Sequence, residues 1–196
     1  MSRYFVRTPR ILQHIFKNVT WRIENSEAIY LTFDDGPHPT VTLQLLELLK
    51  ANNAQATFFL LGKNAALYPE LVARIQEENH TIGFHGNEHL NSRKLNRIGL
   101  LKNFKCQAAF PKSKLYRPPF GKLKYWQYQY LQKKFQLVGW TLMPGDFDSK
   151  KNKNQQLRNL QKARYGDIVV LHELPETVQL LETYFKQTAN QMFEKL

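Results

Sequence analysis

Residues 28–62 read "AIYLTFDDGPHPTVTLQLLELLKANNAQATFFLLG", and the order of patterns within them decides the fold. "AIYLTF" (28–33) is an apolar run rich in β-branched and aromatic residues, the signature of a strand. "TVTLQLLELLKANN" (40–53) then sets Val41, Leu45, Leu48 and Leu49 at helical spacing, and "ATFFLLG" (56–62) returns to a strand. Strand, helix, strand implies two parallel strands joined by a crossover. In such folds the chemistry gathers at the carboxyl ends of the strands. The first strand ends in Asp34 and Asp35, closed off by Gly36 and Pro37. All of these residue types suit a turn. Two adjacent carboxylates leaving water also need compensation by pairing or by a metal. They therefore equally suit a site in which one carboxylate is a base and the other a ligand.

The alternation continues. "YPELVARIQEEN" (68–79) reads as a helix with Pro69 at its start, as helices tolerate. Further strands are read at "TIGFH" (81–85), "LYRPPF" (115–120), "FQLVGWTL" (135–142) and "DIVVLH" (167–172), and a last helix after Pro175. Six strands with intervening helices argue for an α/β sheet or barrel. Three more strand ends carry catalytic residue types: His85, Arg117 and His172.

The chain has 196 residues, 42% of them hydrophobic, and suits one domain spanning 1–196 with a substantial core. Lys and Arg exceed Asp and Glu by 12, spread along the chain. That charge suits acidic partners or simply a soluble basic surface. No nucleic-acid motif accompanies it, so no nucleic-acid partner is expected. Cys106 is the only cysteine, which excludes an intrachain disulfide and a cysteine metal cluster; it is read as a small buried or half-buried side chain. The N-terminus is basic and its apolar run is broken by Gln13, His14 and Lys17, so neither a signal peptide nor a membrane span is read there. The expectation is a cytoplasmic protein, with association with the cell envelope as the alternative. Residues 1–25 are expected to pack on the domain through a helical face of Ile11, Leu12, Ile15, Phe16 and Val19.

His85 and His89 lie four apart, so a helical turn would put both imidazoles on one face. Such a pair alone is more often structural. With an aspartate from another strand end it becomes a two-His, one-carboxylate set that suits zinc, cobalt or another divalent transition metal. Asp35 is then the ligand and Asp34 the free carboxylate.

"TFDDGP" (32–37), "HGNEH" (85–89), "RPPFG" (117–121), "GDFD" (145–148) and "VVLH" (169–172) occur in the order of the five motifs of polysaccharide deacetylases. The chain thus resembles carbohydrate esterase family 4, whose members remove acetyl groups from chitin, peptidoglycan and related sugars. The resemblance implies a distorted (β/α) barrel of about six or seven parallel strands instead of the regular eight. It also implies hydrolysis of N-acetyl groups on N-acetylglucosamine-containing oligo- or polysaccharide. Asp35, His85 and His89 would hold the metal, zinc being expected, and Asp34 would be the base toward a metal-bound water. Arg117 would orient Asp34, and the backbone N–H of Phe120, following Pro119, would receive the oxyanion. His172 would be the acid and Asp146 its partner, with Asp148 as the alternative. Val170 would line the acetyl pocket, and Trp140 the barrel or that pocket.

Several positions depart from the family pattern. Phe120 replaces Tyr, Gly86 replaces a loop-bracing Ser or Thr, Met143 replaces Asp, Phe147 replaces Trp and Val170 replaces Leu. The other readings are release of O-acetyl esters and a carbohydrate-binding protein that has lost turnover. His38 and His80 are read as solvated loop residues and Glu88 as a solvated side chain, while Trp126 and Tyr130 are expected to pack inward. The oligomeric state is not legible.

Overall fold

The computed structural model describes residues 4–104, 113–188 and 191–196, so Cys106 lies outside the described residues. The strands are β1 (Val19–Thr20), β2 (Ala28–Asp34), β3 (Ala56–Leu60), β4 (Thr81–Phe84), β5 (Leu115–Tyr116), β6 (Gln136–Val138), β7 (Ile168–His172) and β8 (Met192–Phe193). The helices are α1 (Arg10–Ile15), α2 (Val41–Ala51), α3 (Gly62–Leu67), α4 (Pro69–Glu77), α5 (Arg97–Asn103), α6 (Tyr125–Leu131), α7 (Lys153–Leu160) and α8 (Pro175–Gln187).

The strands pair in the order β1-β6-β5-β4-β3-β2-β7, every pair parallel, with β8 added alongside the start of β2. β5 and β6 are short. In β5 the cause is Pro118 and Pro119, which lack the N–H a ladder needs. The chain leaving β6 then crosses to the free edge of β7, where Thr141 N–H donates to Ile168 O (3.0 Å) and Val170 N–H to Leu142 O (3.0 Å). The sheet is thus a curled half-barrel of seven parallel strands within a single domain, partly closed by residues 141–142.

Register decides which side chains face the concavity. Thr32 pairs with Val170 and Asp34 with His172, and alternation places all four on one face. Phe33 and Leu171 point the other way, into a buried cluster that includes Leu45 and Leu49 of α2 and Leu181 of α8, all fully buried. In α2, Val41, Leu45 and Leu49 are buried as expected, Leu48 is partly buried against the same core, and Leu46 joins the inward stripe.

Three expectations are corrected. Only the end of the expected N-terminal face packs: Ile11 and Ile15 of α1 are more than half exposed, while Phe16 and Val19 reach the core, Val19 from edge strand β1. The segment is also anchored by backbone pairing, with Met143 N–H donating to Val6 O (2.9 Å) and Thr8 N–H to Thr141 O (3.1 Å), and by an ion pair of Arg7 with Asp167 (2.7 Å). On α6 the buried residues are Gln127, Tyr128 and Leu131; Tyr130 is half-buried and packs against the core as expected, whereas Trp126 is 40% exposed. His80 is buried, accepts from Ala56 N–H (3.2 Å) and lies against the Phe58 ring; burial pushes its pKa down to about 4. Among the described residues no helix is long and apolar enough to cross a membrane.

Candidate active site

Asp34 closes β2 on the concave face and is buried. Arg117, which follows β5 and is fully buried, donates from Nη1 to Asp34 Oδ1 (2.7 Å) and to Thr32 Oγ1 (2.7 Å), and from Nη2 to Gly139 O (2.9 Å). Its guanidinium carbon lies 4.1 Å from the centre of the Phe59 ring and 5.7 Å from that of Trp140, which adds cation–π compensation, while Nε is left without a hydrogen-bond partner. Burial alone would push the Asp34 carboxyl up. The positive charge of Arg117, joined by that of His172 and by the Arg117 hydrogen bond, outweighs it, so the pKa is lowered and Asp34 is ionised.

The next residue leaves the strand in another conformation. Asp35 has φ +78°, a left-handed backbone rare outside glycine, and turns its carboxylate away from Arg117 toward the histidines. Its Oδ1 lies 3.6 Å from His85 Nε2 and 3.4 Å from His89 Nε2, and Asp34 Oδ2 is 3.8 Å from His85 Nε2. Asp35, His85 and His89 each offer one ligand atom within 4.8 Å of the others. The set fits a divalent cation on two observations. Asp35 Oδ1 is buried without a hydrogen-bond partner. The Nδ1 of His85 is engaged with Arg117 O (2.8 Å), which fixes the ring and leaves Nε2 as the ligand atom. Burial lowers the His85 pKa against the pull of Asp34 and Asp35, so the imidazole is neutral, as ligation requires.

The two histidines come together without the expected helical turn. Residues 85–91 form an irregular loop in which Gly86 has φ +92°. The Oδ1 of Asn103, from α5, accepts from the N–H groups of Asn87 (3.0 Å) and Glu88 (3.2 Å) and so braces the loop. A Cβ on Gly86 would sit 2.8 Å from Asn103 Nδ2, so the space of a family hydroxyl is taken by a side chain from another helix. Glu88 is exposed. His38 accepts through Nδ1 from Thr40 and Val41 N–H at the start of α2.

At the end of β7, His172 meets Asp146, not Asp148. Its N–H donates to Asp146 Oδ2 (2.7 Å), its Nδ1 lies 3.1 Å from Asp146 Oδ1, and Thr177 Oγ1 donates to Oδ2 (2.8 Å). Asp148 instead accepts from Lys150 N–H. Burial would push the His172 pKa down, but the charge and hydrogen bond of Asp146, helped by Asp34 and Asp35, raise it to about 9. His172 is therefore protonated at neutral pH. Because the pKa is raised from an ordinary 6.5, the stability this pair contributes is full below about 6.5 and lost as pH rises through about 9. Asp146→Asn should bring the alkaline limb of kcat/KM down from about 9 to 6.5 or below. The loss at pH 8 is then about 30-fold, read from a pH–rate profile.

Phe120 sits at φ +60° in the turn Pro119–Gly121, half-exposed, with its ring 4.4 Å from that of His89. Pro119 is buried beneath it. Trp140 lies against Gly121, where a Cβ would come within 2.4 Å of its ring. Val170 is fully buried on the concave face between Thr32 and Leu142. Phe147 is 39% exposed and stands edge-on to His172, with ring centres 5.0 Å apart. Met143 is bonded to the N-terminal segment through its N–H. Sequence reasoning missed Asn103 and also Tyr4, whose ring lies 5.2 Å from Phe147.

A profile of the polysaccharide deacetylase family matches residues 22–137. A chitooligosaccharide deacetylase of Azorhizobium caulinodans is 33% identical over 165 residues, covering 76% of this chain and 75% of that protein. A peptidoglycan-N-acetylglucosamine deacetylase of Bacillus cereus is 33% identical over 158 residues, covering 77% of this chain and 58% of that protein. Among solved structures, a peptidoglycan N-acetylglucosamine deacetylase superposes with a TM-score of 0.81 at 27% identity, covering 95% of this chain and 94% of its own. Family profile, relatives and fold agree, and the chain belongs to the polysaccharide deacetylases of carbohydrate esterase family 4.

Proposed function

We propose that the protein hydrolyses N-acetyl groups on N-acetylglucosamine-containing oligo- or polysaccharide, with Asp34 as base, His172 as acid, and zinc held by Asp35, His85 and His89. One observation carries the reading. Asp34 and His172 are paired in the register of adjacent strands, one held ionised and the other held protonated at neutral pH. Two titratable groups pushed apart in this way serve as a base and an acid in one cycle.

When bound, the cation polarises the acetamide carbonyl and lowers the pKa of water from about 15.7 toward about 7. Asp34, kept ionised by Arg117, takes a proton from the attacking water as its oxygen bonds to the carbonyl carbon. The Phe120 N–H would donate to the oxygen that becomes negative. His172 gives its proton to the sugar nitrogen as the C–N bond breaks, so that acetate and a free amine leave. The Asp146 carboxylate holds Nδ1 of His172, leaving Nε2 to present that proton. Val170 and Trp140 provide apolar walls suited to an acetyl methyl.

The test is acetate release from N-acetylglucosamine oligomers and from O-acetylated xylan by zinc-loaded protein. Release from the oligomers at a kcat/KM at least tenfold above that on xylan is expected. Release confined to xylan would replace the amidase by an esterase, and zinc-loaded protein silent on both would favour a carbohydrate-binding role.

A further inference from the structure

Glu173, the residue after His172, is a carboxylate that the chemistry above does not use, yet it is buried against the turn that carries Asp35. Its backbone N–H donates to Asp34 O (3.1 Å), immediately before that turn. Its side chain passes to the far side, where Oε2 accepts from His38 N–H (3.2 Å) and from the Thr42 hydroxyl at the start of α2. Thr42 Oγ1 itself accepts from His38 N–H (2.8 Å). One residue thus spans the turn from Asp34 to His38. The contact depends on Gly36, where a Cβ would fall 1.7 Å from Glu173 Oε1, so any side chain there would expel the carboxyl.

Two further bonds hold the inner side of the turn: Leu61 N–H donates to Gly36 O (2.8 Å) and Asn64 Nδ2 to Asp35 O (2.8 Å). Asp35 needs such restraint, because a non-glycine residue at φ +78° relaxes if its surroundings allow it. Relaxation would swing its Oδ1 away from the two imidazoles. A surface carboxylate could be satisfied by water, but this one has been taken out of water, with Oε1 left without a partner. That cost is offset in part by the bonds its Oε2 accepts from His38 N–H and the Thr42 hydroxyl, which tie it to the far side of the turn.

We infer that Glu173 is a positioning residue of the metal centre, acting with Thr42 and Gly36 as a clamp that holds Asp35 in its ligating conformation. The inference rests on the proposed reading of Asp35, His85 and His89 as the zinc ligands. Outer-sphere partners of a ligand typically account for about 10–100-fold in metal affinity.

Metal-stripped protein is titrated with zinc against a chromophoric chelator, alongside thermal unfolding of each variant. Glu173→Leu is expected to weaken zinc binding about 10–100-fold, and Glu173→Gln, which keeps an acceptor oxygen, to stay within about threefold of wild type. Thr42→Val, which loosens the clamp from its other side while conserving shape, should weaken binding in the same direction even if the Leu variant does not fold. Leu181→Ala, a core truncation on α8, controls for general destabilisation and should leave zinc affinity unchanged. Wild-type affinity in Glu173→Leu and Thr42→Val, or an equal loss in Leu181→Ala, overturns the inference alone. Wild-type protein that takes up no zinc overturns the metal-centre reading beneath it.

Discussion

Asp34→Asn should lower kcat for acetate release about 10³-fold while leaving KM and zinc uptake close to wild type. Asn keeps the size of Asp and can still accept from Arg117 through its amide oxygen, so the site keeps its shape, although the buried guanidinium loses its counter-charge and some stability goes with it. What it loses is the ability to take a proton. The residue is well separated in role from its neighbour: Asp34 faces Arg117, whereas Asp35 turns its Oδ1 toward both imidazoles. Asp35→Asn should do the reverse, weakening zinc binding first and activity in consequence. Steady-state kinetics on zinc-loaded protein, paired with a metal assay, separates the two. An Asp34→Asn enzyme with more than a tenth of wild-type kcat would remove Asp34 from the role of base.

The second large effect is on stability and activity together. Arg117 is fully buried and bound to three acceptors, and Asp34 is buried beside it. Breaking such a pair on one side leaves an uncompensated charge, at a cost of about 3–5 kcal/mol. Arg117→Met should therefore lower the melting temperature by about 10 °C. It should also raise the Asp34 pKa, since burial then acts without its main opponent. Residual activity would appear only on the alkaline side. Arg117→Lys is not expected to rescue, because an ammonium cannot reproduce the planar fork that reaches Thr32, Asp34 and Gly139. The double variant Arg117→Met/Asp34→Asn should recover part of the lost stability, and urea unfolding of the four proteins gives the coupling energy. Independent, additive effects of the two substitutions would show that the pair is not the unit described.

Much of this was legible in the sequence because the informative groups end strands. Alternating apolar runs and helical periods located β2, β3, β4 and β7, and the residues ending or following them are Asp34, Asp35, His85 and His172. The edge strands β1 and β8 were not legible. Two residues cannot show a period, and both form only because a neighbouring strand offers free backbone groups. The N-terminal segment misled for a related reason. Its helical apolar spacing was real, but the segment is fastened by backbone bonds to Met143 and Thr141 that carry no sequence signature. His80 looked like a loop residue because nothing local signals that its ring fills space beside Phe58. Asn103 and Glu173 were invisible for a deeper reason. Each fits a glycine, Gly86 or Gly36, far away along the chain, and the meaning of a missing side chain appears only when the partner is in place.

The measurement that bears most directly on the account is acetate release from N-acetylglucosamine oligomers by metal-stripped protein during stepwise addition of zinc. Activity should be absent at the start, rise in proportion to zinc and level off at one equivalent. Release that proceeds in metal-free protein and does not respond to zinc would contradict the assignment of Asp35, His85 and His89 as a catalytic metal centre.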